Sequence, residues 1–256
     1  LDALRQAIAL NGAAVDKNLR AFDIGRWSAL FPNDAAALIA PSVVKLPQTL
    51  NENIAVRTKH LQAYQGAQLS RRYVRMLERT ADPELKLALA KGYHKLLAYK
   101  DEYEVARLHL GTYAKASETF KGPFEMTFHL APPLLSKNGS GGRPQKRSFG
   151  PWMLGPLRVL SALRVLRGTA LDPFGYTAER RMERALIAQY EEDLAAILPG
   201  GTPATHEIAV ALANLPLDIR GFGPVKQANE IKAGKRRKEL LAAFHRSEGD
   251  LAQAAE

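Results

Sequence analysis

Apolar side chains near the start of the chain recur with helical spacing. Leu1, Leu4, Ile8, Val15, Leu19 and Phe22 fall three, four or seven residues apart and share one face. Gly12 interrupts this helix, and Gly25 is placed to end it as a C-cap glycine. Residues 31–48 hold Pro32, Pro41 and Pro47 with little periodicity, which predicts a linker and a domain boundary. A long helix is expected from about Asn51 to Arg79, capped by Asn51 or Asn53, with Ile54, Leu61, Tyr64 and Leu77 as its apolar contacts. Asp82-Pro83-Glu84 starts another, with Asp82 at the N-cap and Pro83 in the first helical position. Leu85, Leu89, Gly92, Leu96, Tyr99 and Tyr103 form its stripe, which calls for a partner helix.

The period then changes. From Phe124 to Leu130 apolar and polar residues alternate, the signature of a half-buried strand, and Pro132-Pro133 ends it. A partner strand is expected around His109–Tyr113 or Arg147–Phe149. Ser136–Ser148 is rich in Gly, Ser, Lys and Arg and reads as a flexible loop. Pro151–Leu166 reads as a mostly apolar helix, broken or bent near Gly155-Pro156 and stopped by Gly168. Thr177 caps a helix carrying Met182, Leu186, Gln189, Tyr190 and Ile197. Thr202-Pro203 opens the next, with Ile208, Leu212 and Leu215 inside and Pro216 closing it. Gly223-Pro224 opens the last helix, which fades into a frayed tail at residues 247–256. The expected fold is mainly α, an irregular helical domain over residues 49–246 with a small β element, preceded by a terminal helix within residues 1–30.

Composition narrows the chemistry. The 256 residues suffice for one large domain or two ordinary ones. No apolar run approaches the roughly 20 residues that cross a bilayer, and Asp2, Arg5 and Asp16 rule out a secretory signal at the start. There is no cysteine, so the chain has no thiolate for an iron–sulfur cluster, no disulfide and no thiol nucleophile. That usage fits a cytoplasmic location. Leu1 lies inside a helical pattern, which leads us to expect a piece of a longer polypeptide.

The net charge of +10 favours anionic partners. The charge is uneven. Between Met126 and Leu171 there is no acid, while Lys137, Arg143, Lys146, Arg147, Arg158, Arg164 and Arg167 fall there. A second cluster is Lys232, Lys235, Arg236, Arg237 and Lys238. The acid-free stretch lacks interleaved aromatics for base stacking, so a solvated basic loop is a better reading than a nucleic-acid patch. A free-standing basic helical nucleic-acid-binding module remains the alternative, and it predicts salt-sensitive binding.

No catalytic signature stands out. His60, His94, His109, His129, His206 and His245 have no metal-binding spacing, and there is no P-loop, GxGxxG turn or nucleophile elbow. Lys100, Asp101, Glu102, Tyr103 and Arg107 form a dense stretch. It reads either as an interface ion-pair cluster or, better on the sequence alone, as a helix surface stitched by Lys100–Glu104 and Tyr103–Arg107 neighbours. Leu171–Arg181 reads equally as an elaborate helix cap or as a site where Tyr176, Arg180 and Arg181 meet an anion. In Arg220–Lys226 the glycines precede a helix start, a weak anion signal that more often marks a turn.

Taken together, several strings resemble the C-terminal region of the fused indolepyruvate ferredoxin oxidoreductases. They are Leu96–Leu108, Phe128–Leu135, Phe149–Leu154, Leu166–Thr169, Leu171–Gly175, Thr177–Arg181 and Ile219–Lys226. Ala7–Asn18, Ala21-Phe22 and Gly25-Arg26 resemble the end of the preceding gamma-type catalytic domain. The resemblance covers nearly the whole chain in order. It implies a parent enzyme that oxidatively decarboxylates aryl 2-oxo acids to acyl-coenzyme A and reduces ferredoxin. Thiamine diphosphate, Mg and [4Fe-4S] clusters would sit in other domains, and this segment would hold no cofactor and no catalytic residue. Its partners would be the other domains of the same polypeptide in a homo-oligomer, with ferredoxin and coenzyme A for the whole enzyme and no membrane or nucleic acid. Tyr176, Arg180, Arg181, Arg220 and Lys226 are the candidate set facing coenzyme A or another anion.

Overall fold

Thr49, Asp82, Asp101 and Thr177 each open a helix with a side-chain cap. The computed structural model describes residues 1–39, 46–131, 146–199, 202–221 and 224–254. The chain divides into two compact units, Leu1–Leu46 and Pro47–Glu256. Among the described residues no helix is long and apolar enough to cross a membrane.

The first unit holds α1 (Asp2–Leu10), α2 (Val15–Leu30) and α3 (Pro32–Ile39). Gly12, at φ 68°, turns the chain between α1 and α2, a conformation that costs glycine little. Gly25 is not a C-cap: it lies inside α2, which runs on to Leu30. The stretch read as a linker contains α3, because Pro32 stands at the first helical position, where its missing N–H is not needed. Arg5 pairs with Asp23 across α1 and α2. Among the described residues of this unit, Ala35 is the only buried hydrophobic side chain.

In the second unit the expected long helix is two, α4 (Leu50–Tyr64) and α5 (Ala67–Leu77), separated at Gly66 with φ 126°. The cap is Thr49 rather than Asn51 or Asn53. Thr49 and Glu52 form a reciprocal capping box, each side chain accepting from the other's backbone N–H. Asp82 and Pro83 open α6 (Pro83–Leu97) as their chemistry predicts. The stripe beyond Leu97 is corrected. The chain breaks at Ala98–Asp101, and Tyr103 belongs to α7 (Glu102–Thr119).

β1 (Phe128–Leu130) pairs antiparallel with β2 (Arg147–Phe149) in the register Phe128 opposite Phe149. His109–Tyr113 lies in α7 and supplies no strand. A two-stranded ribbon is marginal alone. Here Phe128 is buried with Ala106 of α7 and Met153 and Leu157, the last on α8 (Leu154–Ala162). Pro156 sits in the first turn of α8, and 3₁₀ turns at Pro151–Met153 and Leu163–Leu166 flank the helix. Most of the loop expected at 136–148 lies outside the described residues.

α9 (Ala178–Ile197), α10 (His206–Asn214) and α11 (Pro224–Ala254) complete the unit. Thr177 caps α9 as expected, accepting from Arg180 N–H at 3.3 Å. Its inner face is rotated from the predicted stripe and carries Glu183, Ile187, Tyr190, Asp193, Leu194 and Ile197. α11 continues to Ala254, through much of the tail expected to fray.

The main core gathers α4, α5, α6, α9, α10 and α11 around tyrosines. Tyr93 stacks between Tyr73 and Tyr190, with ring centroids 6.1 and 6.0 Å away. Each hydroxyl finds an acceptor, which makes deep burial of a phenol tolerable: Tyr73 on Ala90 O, Tyr190 on Ala213 O, and Tyr93 on Glu191.

Candidate functional site

The break between α6 and α7 concentrates polar groups inside the second unit. Asp101 caps α7 by accepting from Glu104 N–H at 2.8 Å. Its carboxylate also receives Arg167, which donates from Nη2 at 2.9 Å and from Nε. Arg167 Nη1 donates to Tyr64 O at 2.8 Å, and the guanidinium carbon lies 3.6 Å from the centre of the Tyr64 ring. The Arg167 and Asp101 side chains are 3% and 2% exposed. Burial works against the Arg167 charge, and hydrogen bonding to Asp101 more than restores it.

Around this pair stand two more links. Tyr103 donates to Asp172 at 3.0 Å, while Asp172 also accepts from Gly168 N–H and Phe174 N–H. Phe174 meets the Tyr103 ring edge-on at 5.3 Å, so the Leu171–Gly175 turn is plugged onto α7. Glu104 takes Arg107 at 2.8 and 2.6 Å, with His60 of α4 at 3.5 Å. Burial acts to raise the Glu104 carboxyl, but Arg107 and His60 outweigh it and hold it down at about 2. His60 in turn meets His94 of α6 at 2.9 Å. Burial, then the neighbouring His60 and Arg57 charges, push His94 down to about 3, so it is neutral at pH 7.

This arrangement corrects the surface reading of Lys100–Arg107. Glu104 pairs with Arg107 three residues on and with His60 from another helix, not with Lys100. The interface reading is also corrected for Asp101 and Tyr103, which are 3% and 1% exposed and sealed by the chain's own Arg167, Asp172 and Phe174. Glu102 turns instead toward Arg180, at 3.6 Å. Lys100 is exposed.

The candidate anion-facing set is brought together only in part. Arg180 is buried, lies 3.9 Å from Glu183 and donates to Lys100 O at 3.2 Å. Its Nε and Nη1 have no hydrogen-bond partner. Lys226 of α11 pairs with the same Glu183, so one carboxylate ties Arg180 and Lys226 into a single cluster. The others turn to main-chain carbonyls: Arg181 to Tyr176 O at 3.0 Å, Tyr176 to Ala170 O at 2.7 Å, and Arg220 to Leu217 O at 2.7 Å. The acid-free basic stretch loses Arg167 to the interior, and its Lys137 and Arg143 lie outside the described residues. Arg237 of the second cluster forks onto Asp193 at 2.6 and 2.5 Å.

Beside the Glu183–Lys226 link lies a cavity of about 370 Å³. Lys95, Lys100, Lys226, Glu183 and Tyr99 supply its polar lining, and Leu96, Leu186, Pro216 and Ile219 much of its apolar lining. Burial and the Asp101 charge push the Tyr99 hydroxyl up to about 12, which keeps it a neutral donor. In the sequence Lys95, Glu183 and Arg167 each read as an ordinary surface charge, which hides their place in the site. For Lys95 and Lys100 the available signal was two cations flanking the end of one helix. Among the described residues no group of His, Asp and Glu stands ready to hold a metal ion.

No curated protein and no solved structure matches the chain. Residues 50–239, which span α4 through the first half of α11, match DUF6537, described as a family of unknown function. The match takes in the buried Asp101–Arg167 hub and the whole lining of the cavity, and the chain belongs to that family.

Proposed function

We propose that the chain is the C-terminal, mainly helical accessory region of an indolepyruvate-type 2-oxoacid:ferredoxin oxidoreductase of the cytoplasm. Residues 1–30 are the end of the gamma-type catalytic domain that precedes it. The region packs on the catalytic domains and supports the assembly of the oligomer.

The observation that carries this reading is the state of the first unit. Leu4, Leu10, Ile24 and Leu30 are 58%, 81%, 64% and 70% exposed on helices that bury no residue. These exposed apolar side chains support a reading in which the two helices lie against another surface. The strings that carry the resemblance also meet in the second unit. Leu96–Leu108, Leu166–Thr169, Leu171–Gly175 and Thr177–Arg181 touch one another through Asp101–Arg167, Tyr103–Asp172 and Arg180–Glu102.

The chain has no cysteine to hold an iron–sulfur cluster through thiolates, so in this reading the clusters belong to other domains. No catalytic step is assigned to this chain. A nucleic-acid module is the weaker reading, because Arg167 and Arg237 are committed to the chain's own carboxylates.

Amide hydrogen exchange tests the carrying observation. In the intact polypeptide residues 2–30 are expected to exchange more slowly than in the isolated chain, while α6 and α7 exchange alike in both. Equal exchange of residues 2–30 in the two would overturn the docking.

A further inference from the structure

We infer that the cavity between the end of α6, α9, the Leu215–Asp218 turn and the start of α11 is a binding site for a small organic anion. The ligand carries a carboxylate or phosphate head on an apolar body. This inference stands apart from the proposed function, since it rests on the cavity alone.

The volume of about 370 Å³ falls within the range of small-molecule sites. Its lining is two-sided in chemistry. Leu96, Leu186, Pro216 and Ile219 offer an apolar bed, of which Leu96, Pro216 and Ile219 are themselves buried residues of the fold. Lys95, Lys100 and Lys226 supply the positive charge.

The charge balance is what selects an anion. Glu183 is the one carboxylate among the described lining residues, and it already serves Lys226 and Arg180. Lys95 and Lys100 have no acidic partner among the described residues. Behind the wall, Arg180 is buried with Nε and Nη1 lacking a hydrogen-bond partner, and its carbon lies 5.5 Å from the Tyr99 ring centre. Cations therefore outnumber acids around a partly apolar concavity, where low-dielectric walls strengthen the attraction for an anion. An apolar cation would meet Lys95 and Lys100 as like charges. A neutral apolar ligand would gain nothing from them.

Calorimetric titration of the full chain tests the inference with four probes: 3-phenylpropanoate, phenyl phosphate, inorganic phosphate and neutral 3-phenylpropanol. One or both aryl anions should bind about tenfold or more tightly than the alcohol and than inorganic phosphate. Comparing phenyl phosphate with 3-phenylpropanoate identifies the preferred head. The double variant Lys95→Gln/Lys100→Gln removes exposed groups with no internal acid partner. It should keep the wild-type melting temperature and lose at least about tenfold in affinity for the preferred aryl anion. The control Lys232→Gln/Lys235→Gln, an equal charge change outside the cavity, should leave that affinity unchanged. Binding of the alcohol as tight as that of the anions, equal losses in both double variants, or no binding of either aryl anion would each overturn the assignment.

Discussion

Arg167 reaches Asp101 across the fold with two of its nitrogens while a third holds the Tyr64 carbonyl, fastening the start of α7 to the end of α4. Both charges are out of water, so each depends on the other. Asp101→Asn or Arg167→Met alone should destabilise the second unit by about 3–5 kcal/mol, because the survivor is left buried and unpaired. Asp101→Asn combined with Arg167→Met should recover much of that loss while keeping a capping side chain at position 101. Urea unfolding of the three variants checks this. Additive losses in the double variant would contradict a coupled pair.

Gly92 is fixed by space rather than by backbone angle. A Cβ there would meet Ala213 O at 2.1 Å and the Tyr190 hydroxyl at 2.9 Å, where α6 crosses α10. Gly92→Ala should cost about 1–3 kcal/mol or more, as overpacking does. Gly111 in the middle of α7 faces nothing within 4 Å. Gly111→Ala should instead gain roughly 0.5–1 kcal/mol through helix propensity. Thermal melts of the two single variants should shift in opposite directions.

Acid should weaken the protein in two stages. The folded His94 titrates near 3, far below the ordinary histidine value of about 6.5. Below that ordinary value the unfolded chain binds a proton that the folded one refuses. Stability contributed above pH about 6.5 is thus lost progressively as pH falls toward 3. Glu104, held at about 2, adds a second loss from the ordinary carboxylate range downward. His94→Gln should flatten the stability profile between pH about 6.5 and 5, while Glu104→Gln should lower stability at neutral pH and flatten only the more acid part. Chemical denaturation from pH 7 downward separates the two. An unchanged slope in His94→Gln would contradict the buried neutral histidine.

Much of the fold was legible where local chemistry decides. Asp82 and Pro83 open α6 and Thr177 opens α9 because a cap needs only a side-chain oxygen at the right place. The Thr49–Glu52 box was also readable from its spacing, although the nearby asparagines compete for attention. Gly66 was harder: α4 and α5 continue one another in composition, and only the left-handed backbone at that glycine separates them. The site was the least legible. Periodicity weights apolar residues, so Arg167, Glu183 and Asp193 look like solvated charges, yet all three are buried against partners far away in sequence. Lys95 and Lys226 share a cavity only because α6 and α11 approach the same turn, which neither local pattern encodes.

Turnover of the complete gene product to which this chain belongs, supplied with thiamine diphosphate and reconstituted with iron and sulfide, decides the proposed function. If the proposed function holds, ferredoxin reduction requires both indolepyruvate, or another aryl 2-oxo acid, and coenzyme A, with no turnover by the isolated chain. A loaded preparation that reduces no ferredoxin with any aryl 2-oxo acid would contradict it.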